Sequence, residues 1–116
     1  MKRVALTGGI ATGKSHVLEQ FRRLGAACLD ADAIARGVTV SGAEATAAIA
    51  ERFGPKVLDA AGAIDRARLA AIVFSDPAAR RDLEAIVHPA VYRAIEAALR
   101  TFDRIGERVA IVDIPL

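Results

Sequence analysis

Short apolar runs alternate with a helical pattern along the first thirty residues of the chain. RVALT, residues 3–7, is apolar and followed by glycines, which predicts a buried strand. Apolar positions then recur at helical spacing from Lys14 to Leu24, where Gly25 is a natural stop. AACLD, residues 26–30, predicts a second buried strand. This order of strand, glycine loop, helix and strand is typical of a parallel sheet with right-handed crossovers.

Helical patterns dominate the middle of the chain, before a third apolar strand. Helices are predicted over residues 30–38 (capped by Asp30 or Asp32), over 41–54 (with a serine start and a glycine end), from about Asp65 to Phe74, and from Pro77 (capped by Asp76) to about Phe102. A third buried strand is predicted from Val109 to Asp113. We therefore expect an α/β fold with a three-stranded parallel sheet. Its core comprises residues 1–30 and 105–116, and residues 31–104 form a helical insertion between strands two and three.

The predicted sheet has an unprotected edge. A three-stranded parallel sheet with no helix after its last strand leaves strand surface uncovered. We therefore expect the chain to be part of a longer protein.

Charge and cysteine usage narrow the class of protein. The net charge is +2, and acidic and basic residues are interspersed, so nothing demands nucleic acid as a partner. The single cysteine, Cys28, forms no internal disulfide or metal cluster, and its apolar neighbours favour a buried thiol over a reactive one. The apolar run near the N-terminus is too short for a signal peptide or a membrane span. We expect a soluble cytoplasmic protein with no membrane partner.

A glycine-rich segment joins the first predicted strand to the first predicted helix. Residues 8–15, GGIATGKS, match G-x-x-x-x-G-K-[ST] at every fixed position. Glycines let successive backbone N–H groups point at one anion, and the following helix aims the positive end of its dipole at the same point. Lys14 adds a charge for the β- and γ-phosphates, and Ser15 offers a hydroxyl to Mg²⁺. We interpret the segment as a phosphate-binding loop (P-loop) rather than an unspecialised turn.

Acidic residues follow the second predicted strand. Ligands of open α/β sheets bind outside the carboxyl ends of the strands, so Asp30 and Asp32 are expected near the loop. Either carboxylate can orient Mg²⁺ or accept a proton from an attacking hydroxyl, or it only caps the next helix. Arg36, one turn beyond Asp32, can pair with that acid, grip a substrate phosphate or simply face solvent.

Two further positions are candidates for chemistry. Pro89 falls inside a helical pattern, so either one helix ends at Val87 and another begins, or a kink exposes His88 to a ligand. Glu84, His88 and Tyr92 form a polar stripe. The alternative interpretation of this stripe is a helix face exposed to solvent. Asp113 ends the third strand, where an acid either serves Mg²⁺ or marks the strand end.

Five segments occur in the order and spacing of one kinase family. They are VALTGGIATGKS, DADAIAR, FSDP, HPAV and VDIPL. Together they resemble dephospho-coenzyme A kinases, and the resemblance covers essentially all 116 residues. That family is similar to nucleoside monophosphate kinases, which have a P-loop core, a lid and a helical substrate-binding insertion.

The resemblance implies the last step of coenzyme A biosynthesis, in which ATP phosphorylates the ribose 3′-hydroxyl of dephospho-CoA to give CoA and ADP, with Mg²⁺ as cofactor. Lys14 and Asp32 are the implied catalytic residues, and Asp32 would orient or deprotonate the hydroxyl. The implied ATP-binding residues are Gly8, Gly9, Ala11, Thr12, Gly13, Lys14, Ser15 and His16. The implied residues that bind dephospho-CoA are Thr7, Asp32, Arg36 and His88. The implied metal-binding residues are Ser15 and Asp113.

The chain departs from the family pattern in two places. His16 stands where threonine is common, and we expect little effect because Ser15 keeps the hydroxyl. The family continues past this chain to a lid with arginines and adenine-contacting segments, so we expect the 116 residues alone to be weakly active or inactive.

Other functions remain open on the sequence. One is a P-loop kinase for another small hydroxyl acceptor, such as a nucleoside, and another is a non-catalytic nucleotide-binding module. A GTPase switch is disfavoured because no N-K-x-D motif occurs.

Overall fold

A computed structural model describes residues 1–8 and 13–115 of the chain. Four residues of the predicted phosphate loop, including Gly9, Ala11 and Thr12, therefore lie outside the described residues.

Three parallel strands form one sheet. They are β1 (Lys2–Gly8), β2 (Ala27–Asp30) and β3 (Val109–Pro115), and β3 lies between the other two. The predicted parallel sheet is confirmed, and β3 runs two residues past the predicted end because Ile114 and Pro115 continue the register with β1.

Burial differs between the strands because of their places in the sheet. Ala110, Ile111 and Val112 of the central strand β3 are buried, as predicted. The expectation of a buried first strand is wrong, because no residue of β1 is fully buried in the described structure. β1 pairs only with β3 among the described strands, so one of its edges has no strand partner there.

The helices lie close to their predicted positions. They are α1 (Lys14–Arg23), α2 (Ala31–Gly37), α3 (Glu44–Phe53), α4 (Arg66–Val73) and α5 (Pro77–Arg104), with a short 3₁₀ helix at Pro55–Val57. Aspartates cap two of them, Asp76 as predicted and Asp65 at a helix start for which no cap was predicted. The Asp65 carboxylate accepts a hydrogen bond from the amide of Arg68, and Asp76 Oδ1 accepts from the amides of Ala78 and Ala79.

The start of α3 corrects one prediction. The serine start predicted at residue 41 is wrong, since the helix begins at Glu44 and its N-cap, Ala43, has extended backbone and no side-chain cap. Gly42, with φ at +82°, forms a turn before the helix. The Thr46 hydroxyl ties α3 back to that segment by donating to the carbonyl of Val40 at 2.6 Å.

The turn between α3 and α4 begins near residue 60, as predicted, and it is closed by a bridge that was not predicted. Leu58 and Ile64 form an isolated antiparallel bridge, and Asp59 Oδ1 accepts hydrogen bonds from the amides of Ala61 and Ala63 within the turn. The bridge buries Ile64 in the neighbouring apolar cluster.

Helix α5 runs through its internal proline. Of the two alternatives at His88-Pro89, a helix ending at Val87 is wrong, because α5 is assigned continuously across Pro89. The proline ring provides no N–H, so the carbonyl one turn earlier, at Ala85, lacks its usual helical donor. His88 is exposed at this point.

The chain divides into two compact units, each with its own core. The sheet unit comprises Met1–Ile34 and Arg93–Leu116, and the helical unit comprises Ala35–Tyr92. Leu99, Ala110 and Val112 form the buried cluster of the sheet unit. The helical unit buries a larger cluster of Ile49, Phe53, Val57, Ile64, Leu69 and Ala79. That the helical segment 31–104 is a substrate-binding domain stays a prediction.

Candidate functional site at the carboxyl edge of the sheet

An ion pair joins the first helix to the central strand. Lys14 Nζ, in the first turn of α1, lies 2.8 Å from Asp113 Oδ1 near the carboxyl end of β3. Their side chains are only 14% and 18% exposed, so this pair is shielded from solvent far more than an ordinary surface pair. Two residues that the sequence predicted separately, as phosphate and metal partners, are brought together here.

Strand alternation explains why Asp113 faces this side of the sheet. Ala110 and Val112 point into the cluster that contains Leu99 of α5. Because successive side chains on a strand point to opposite faces, Ile111 and Asp113 face the other side of the sheet. Lys14 reaches Asp113 on that side.

The contact with Lys14 involves a buried oxygen of Asp113. Asp113 Oδ1 is buried, and its contact with the ammonium of Lys14, at 2.8 Å, is the ion pair described above. A buried carboxylate oxygen of this kind is stabilised by positive charge. The position therefore suits a cation, whether the ammonium of Lys14 or a metal ion.

The described ends of the glycine loop are shaped for an anion. Gly13, at the N-cap of α1, has φ at +78°, a left-handed conformation that strains any residue with a Cβ. No side chain caps α1 there, and its first helical hydrogen bond runs from the amide of Val17 to the carbonyl of Gly13. The amides of Lys14, Ser15 and His16 precede that bond, so they belong to the turn that binds anions at helix N-termini.

The other predicted phosphate-binding residues flank this turn. Gly8 ends β1 with φ at 148°, and Ser15 and His16 are exposed on α1. The His16 ring lies 3.4 Å from the side-chain amide of Gln20, one turn along the helix. Thr7, predicted to contact the acceptor, is exposed beside Gly8 at the carboxyl end of β1.

The two acidic residues after β2 have different positions: Asp30 caps α2, and Asp32 lies in its first turn. Asp30 Oδ1 accepts hydrogen bonds from the amides of Asp32 and Ala33, at 2.9 and 3.3 Å, and so caps α2. Asp30 is also opposite Asp113 in the register of β2 and β3. Asp32 is half-buried in the first turn of α2, and Arg36 is exposed in its last turn. The structure places Asp30 and Asp113 at the same edge of the sheet.

A cavity of about 280 Å³ lies within the helical unit and was not predicted. Its apolar lining includes Ile49, Ile64, Leu69, Val73, Leu83 and Val87. Polar groups are contributed by Thr39, Arg66, Glu84 and His88. Two members of the predicted polar stripe on α5, Glu84 and His88, therefore face a cavity and not only solvent. The apolar wall involves residues distant in sequence, which no local pattern could have revealed.

Two negative findings concern the described residues only. Across residues 1–8 and 13–115, no group of three His, Cys, Asp or Glu side chains is arranged to hold a metal ion. Mg²⁺ needs no such cage, because it binds through one or two protein oxygens together with water and substrate phosphates. None of the helices in that same part of the chain combines the length and apolarity needed to cross a bilayer.

Three described features are typical of a P-loop α/β protein: the parallel sheet, the left-handed Gly13 at the start of α1, and the pairing of Lys14 with Asp113 of β3. A family model described as dephospho-CoA kinase matches residues 2–116. The chain belongs to the dephospho-CoA kinase family.

Similar proteins agree with this assignment. The chain is 48% identical over 116 residues to a dephospho-CoA kinase of Anaeromyxobacter dehalogenans, matching 100% of the chain and 55% of the relative. It is 46% identical over 113 residues to one of Geobacillus kaustophilus, matching 97% of the chain and 56% of the relative. The chain thus spans about half the length of these curated relatives.

A solved structure is similar to the whole described fold. The dephospho-CoA kinase of Campylobacter jejuni superimposes with a TM-score of 0.80 at 32% identity, covering 99% of this chain and 58% of that one. A Thermus thermophilus protein superimposes with a TM-score of 0.76 at 34% identity, covering 98% of this chain and 56% of that one. The expected P-loop fold and family are confirmed.

Proposed function

We propose that the protein containing this chain transfers the γ-phosphoryl group of ATP to the ribose 3′-hydroxyl of dephospho-CoA, giving ADP and CoA. The family match over residues 2–116 is the observation that carries this proposal. The shielded pair of Lys14 and Asp113, at the edge where open α/β sheets bind ligands, is consistent with it. A cytoplasmic location is part of this proposal.

The phosphate side of the reaction is assigned to the loop and the start of α1. Backbone amides from Gly8 to His16, including those of Gly9, Ala11, Thr12 and Gly13, hold the ATP phosphates. Lys14 places its charge on the β- and γ-phosphates. The transition state for phosphoryl transfer is loose, so positioning and charge neutralisation contribute more than covalent chemistry.

Asp32 is assigned to the acceptor hydroxyl. As the 3′-oxygen bonds to the γ-phosphorus, the bond from that phosphorus to the β–γ bridging oxygen breaks, and ADP leaves with the electron pair. The hydroxyl proton passes to the Asp32 carboxylate, which also orients the oxygen before transfer. Asp32 is half-buried in the first turn of α2, immediately beyond the carboxyl edge of the sheet.

Mg²⁺ is the proposed cofactor, and the residues present fit it. The carboxylate of Asp113, only 18% exposed, and the exposed hydroxyl of Ser15 are hard oxygen donors of the kind Mg²⁺ prefers. Held by these oxygens together with ATP, Mg²⁺ would neutralise charge on the phosphates. Asp113 holds the ammonium of Lys14 close to the same position.

Binding of the rest of dephospho-CoA is assigned to Thr7, Arg36, His88 and the helical unit. Arg36 supplies positive charge for a substrate phosphate, and Thr7 supplies a hydroxyl. The cavity near His88 has a mainly apolar wall with a few polar groups, a composition common to small-molecule sites. That composition suits the uncharged, amide-bearing arm of dephospho-CoA.

A steady-state assay of the full-length protein tests the proposal. ADP release is followed with Mg·ATP and, separately, dephospho-CoA or a panel of nucleosides. We expect release that depends on dephospho-CoA, with CoA formed in equal amount. If ADP is released only in the presence of a nucleoside, the protein would be a kinase that phosphorylates a different acceptor. If the protein binds ATP but releases no ADP with any of the acceptors, the result would indicate a non-catalytic nucleotide-binding module.

A further inference from the structure

We infer that Asp30 is a positioning residue, which orders the first turn of α2 and thereby holds Asp32 in place. The inference rests on the proposed function, because it assigns Asp30 a part in the transfer to the acceptor hydroxyl. It also decides between the two roles that the sequence left open for this carboxylate.

The hydrogen bonds of Asp30 act directly on the backbone of Asp32. One carboxylate oxygen, Oδ1, accepts from the Asp32 amide at 2.9 Å and from the Ala33 amide at 3.3 Å. Asp30 therefore holds the very residue assigned to the acceptor hydroxyl, through that residue's own N–H. A shift of about 1 Å in a reacting group can lower a rate about 100-fold, so this restraint matters to turnover.

The sheet fixes the position from which Asp30 acts. Asp30 is the last residue of β2 and is paired in register with Asp113 of the central strand, whose carboxylate contacts Lys14. A connected series of contacts thus runs from the lysine, through the sheet, to the backbone of Asp32. All of these residues lie in the sheet unit.

The shortness of α2 makes its cap important. The helix has seven residues, from Ala31 to Gly37, and none of them is fully buried. Helices of this length are not stable by propensity alone, so local restraints decide whether the first turn forms. An acceptor oxygen at the N-cap supplies such a restraint, and Asp, Asn and Ser supply it about equally, whereas Ala does not.

The test compares three substitutions of Asp30 in the full-length protein. If the acceptor oxygen is what matters, Asp30→Asn and Asp30→Ser keep kcat within about 3-fold, because both retain the cap. Asp30→Ala lowers kcat by about 10- to 100-fold, while the KM for ATP stays nearly constant. Rescue by asparagine separates this role from one in which the carboxylate charge meets metal or substrate.

Asp76 offers a matched control. Its Oδ1 accepts from the amides two and three residues ahead, at 3.1 and 3.1 Å, which is the pattern made by Asp30. Asp76→Ala removes an equivalent cap at the start of α5 and leaves kcat unchanged.

Four outcomes would contradict a positioning role for Asp30 or the proposed function. If Asp30→Asn lowers kcat as far as Asp30→Ala does, the charge and not the cap is required, and the inference is overturned. If Asp30→Ala leaves kcat unchanged, or if Asp76→Ala lowers kcat equally, positioning through α2 is also refuted. Absence of dephospho-CoA-dependent ADP release by the unsubstituted protein would instead refute the proposed function itself.

Discussion

The two compact units differ in where their polar groups lie. The sheet unit places Lys14 and Asp113 together at the carboxyl edge of its strands, largely shielded from water. The helical unit surrounds an apolar cavity and places most of its charged groups at the rim or on the surface. Under the proposed function, charge-dependent chemistry belongs to the first unit, and the second unit adds an apolar binding surface for the substrate arm.

Removing the charge of Lys14 is expected to have the largest effect. Lys14→Ala should lower kcat/KM for ATP by about 1,000-fold, because electrostatic groups aimed at the transition state dominate this chemistry. ADP release under steady-state conditions measures the loss. Lys2→Ala, which removes an exposed lysine of the same unit, serves as control and should be nearly silent. A loss of less than 10-fold for Lys14→Ala would contradict a charge-dependent site here.

Truncating the core of the helical unit should show how much it depends on apolar packing. Ile49 is 0% exposed, and Ile49→Ala should reduce the free energy of unfolding by about 3 kcal/mol through lost burial and a cavity. Chemical denaturation of the full-length protein measures the change. Ile105→Ala, at a side chain 66% exposed, should change it by less than about 0.5 kcal/mol. If Ile49→Ala and Ile105→Ala reduced the free energy of unfolding equally, Ile49 would not be a core residue.

Neutralising Asp32 probes the acceptor chemistry of the sheet unit. Asp32→Asn should lower kcat about 100-fold, since proton acceptance and orientation by one side chain contribute roughly that much. ATP affinity, measured by calorimetry, should be retained. Turnover close to that of the unsubstituted protein would show that Asp32 does not serve the hydroxyl.

Filling the cavity tests the role assigned to the helical unit. Ala70 on α4 lines the cavity, and Ala70→Leu should raise the KM for dephospho-CoA about 10-fold by occupying space needed by the substrate arm. The KM for ATP should not change. Ala67→Leu is the control, because Ala67 is exposed on the same helix outside the cavity lining. The same KM for both variants would argue against substrate binding in the cavity.

Loss of a single helix cap should have the smallest effect. Asp65→Ala removes the acceptor of the Arg68 amide and should reduce the free energy of unfolding by about 1 kcal/mol. Asp65→Asn should restore most of that stability, as thermal denaturation can show. If asparagine fails to restore it, the exposed contact of Asp65 with the Arg68 side chain, and not the cap, would account for the effect.

Local rules predicted the helices and strands, and the resemblance of five segments indicated the family. Non-local contacts account for what the local rules missed. The cap at Asp76 depends only on neighbouring residues, and it was predicted together with the start of α5. The ion pair of Lys14 with Asp113 depends on β3 entering the sheet beside β1, which no window of sequence contains. The cavity and the bridge between Leu58 and Ile64 likewise depend on packing between distant elements.

The site itself was predicted as a set of residues rather than as a geometry. Roles for Lys14, Asp32 and Asp113 were predicted and stay predictions. The sequence left open whether Asp30 caps a helix, and the hydrogen bond from the Asp32 amide to Asp30 supports the cap. Local pattern could not choose, because aspartate at a strand end suits both a cap and a ligand. The functions assigned to Gly9, Ala11 and Thr12 stay predictions, since these residues lie outside the described part of the chain.

The contact between Lys14 and Asp113 has a consequence for the entropy of nucleotide binding. A lysine side chain loses up to about 2 kcal/mol of rotamer freedom when it is immobilised. With Nζ held 2.8 Å from the carboxylate and the side chain only 14% exposed, most of that loss occurs during folding. Under the proposed function, a nucleotide phosphate would therefore meet a preorganised cation, and less of its binding free energy would be spent on ordering the protein.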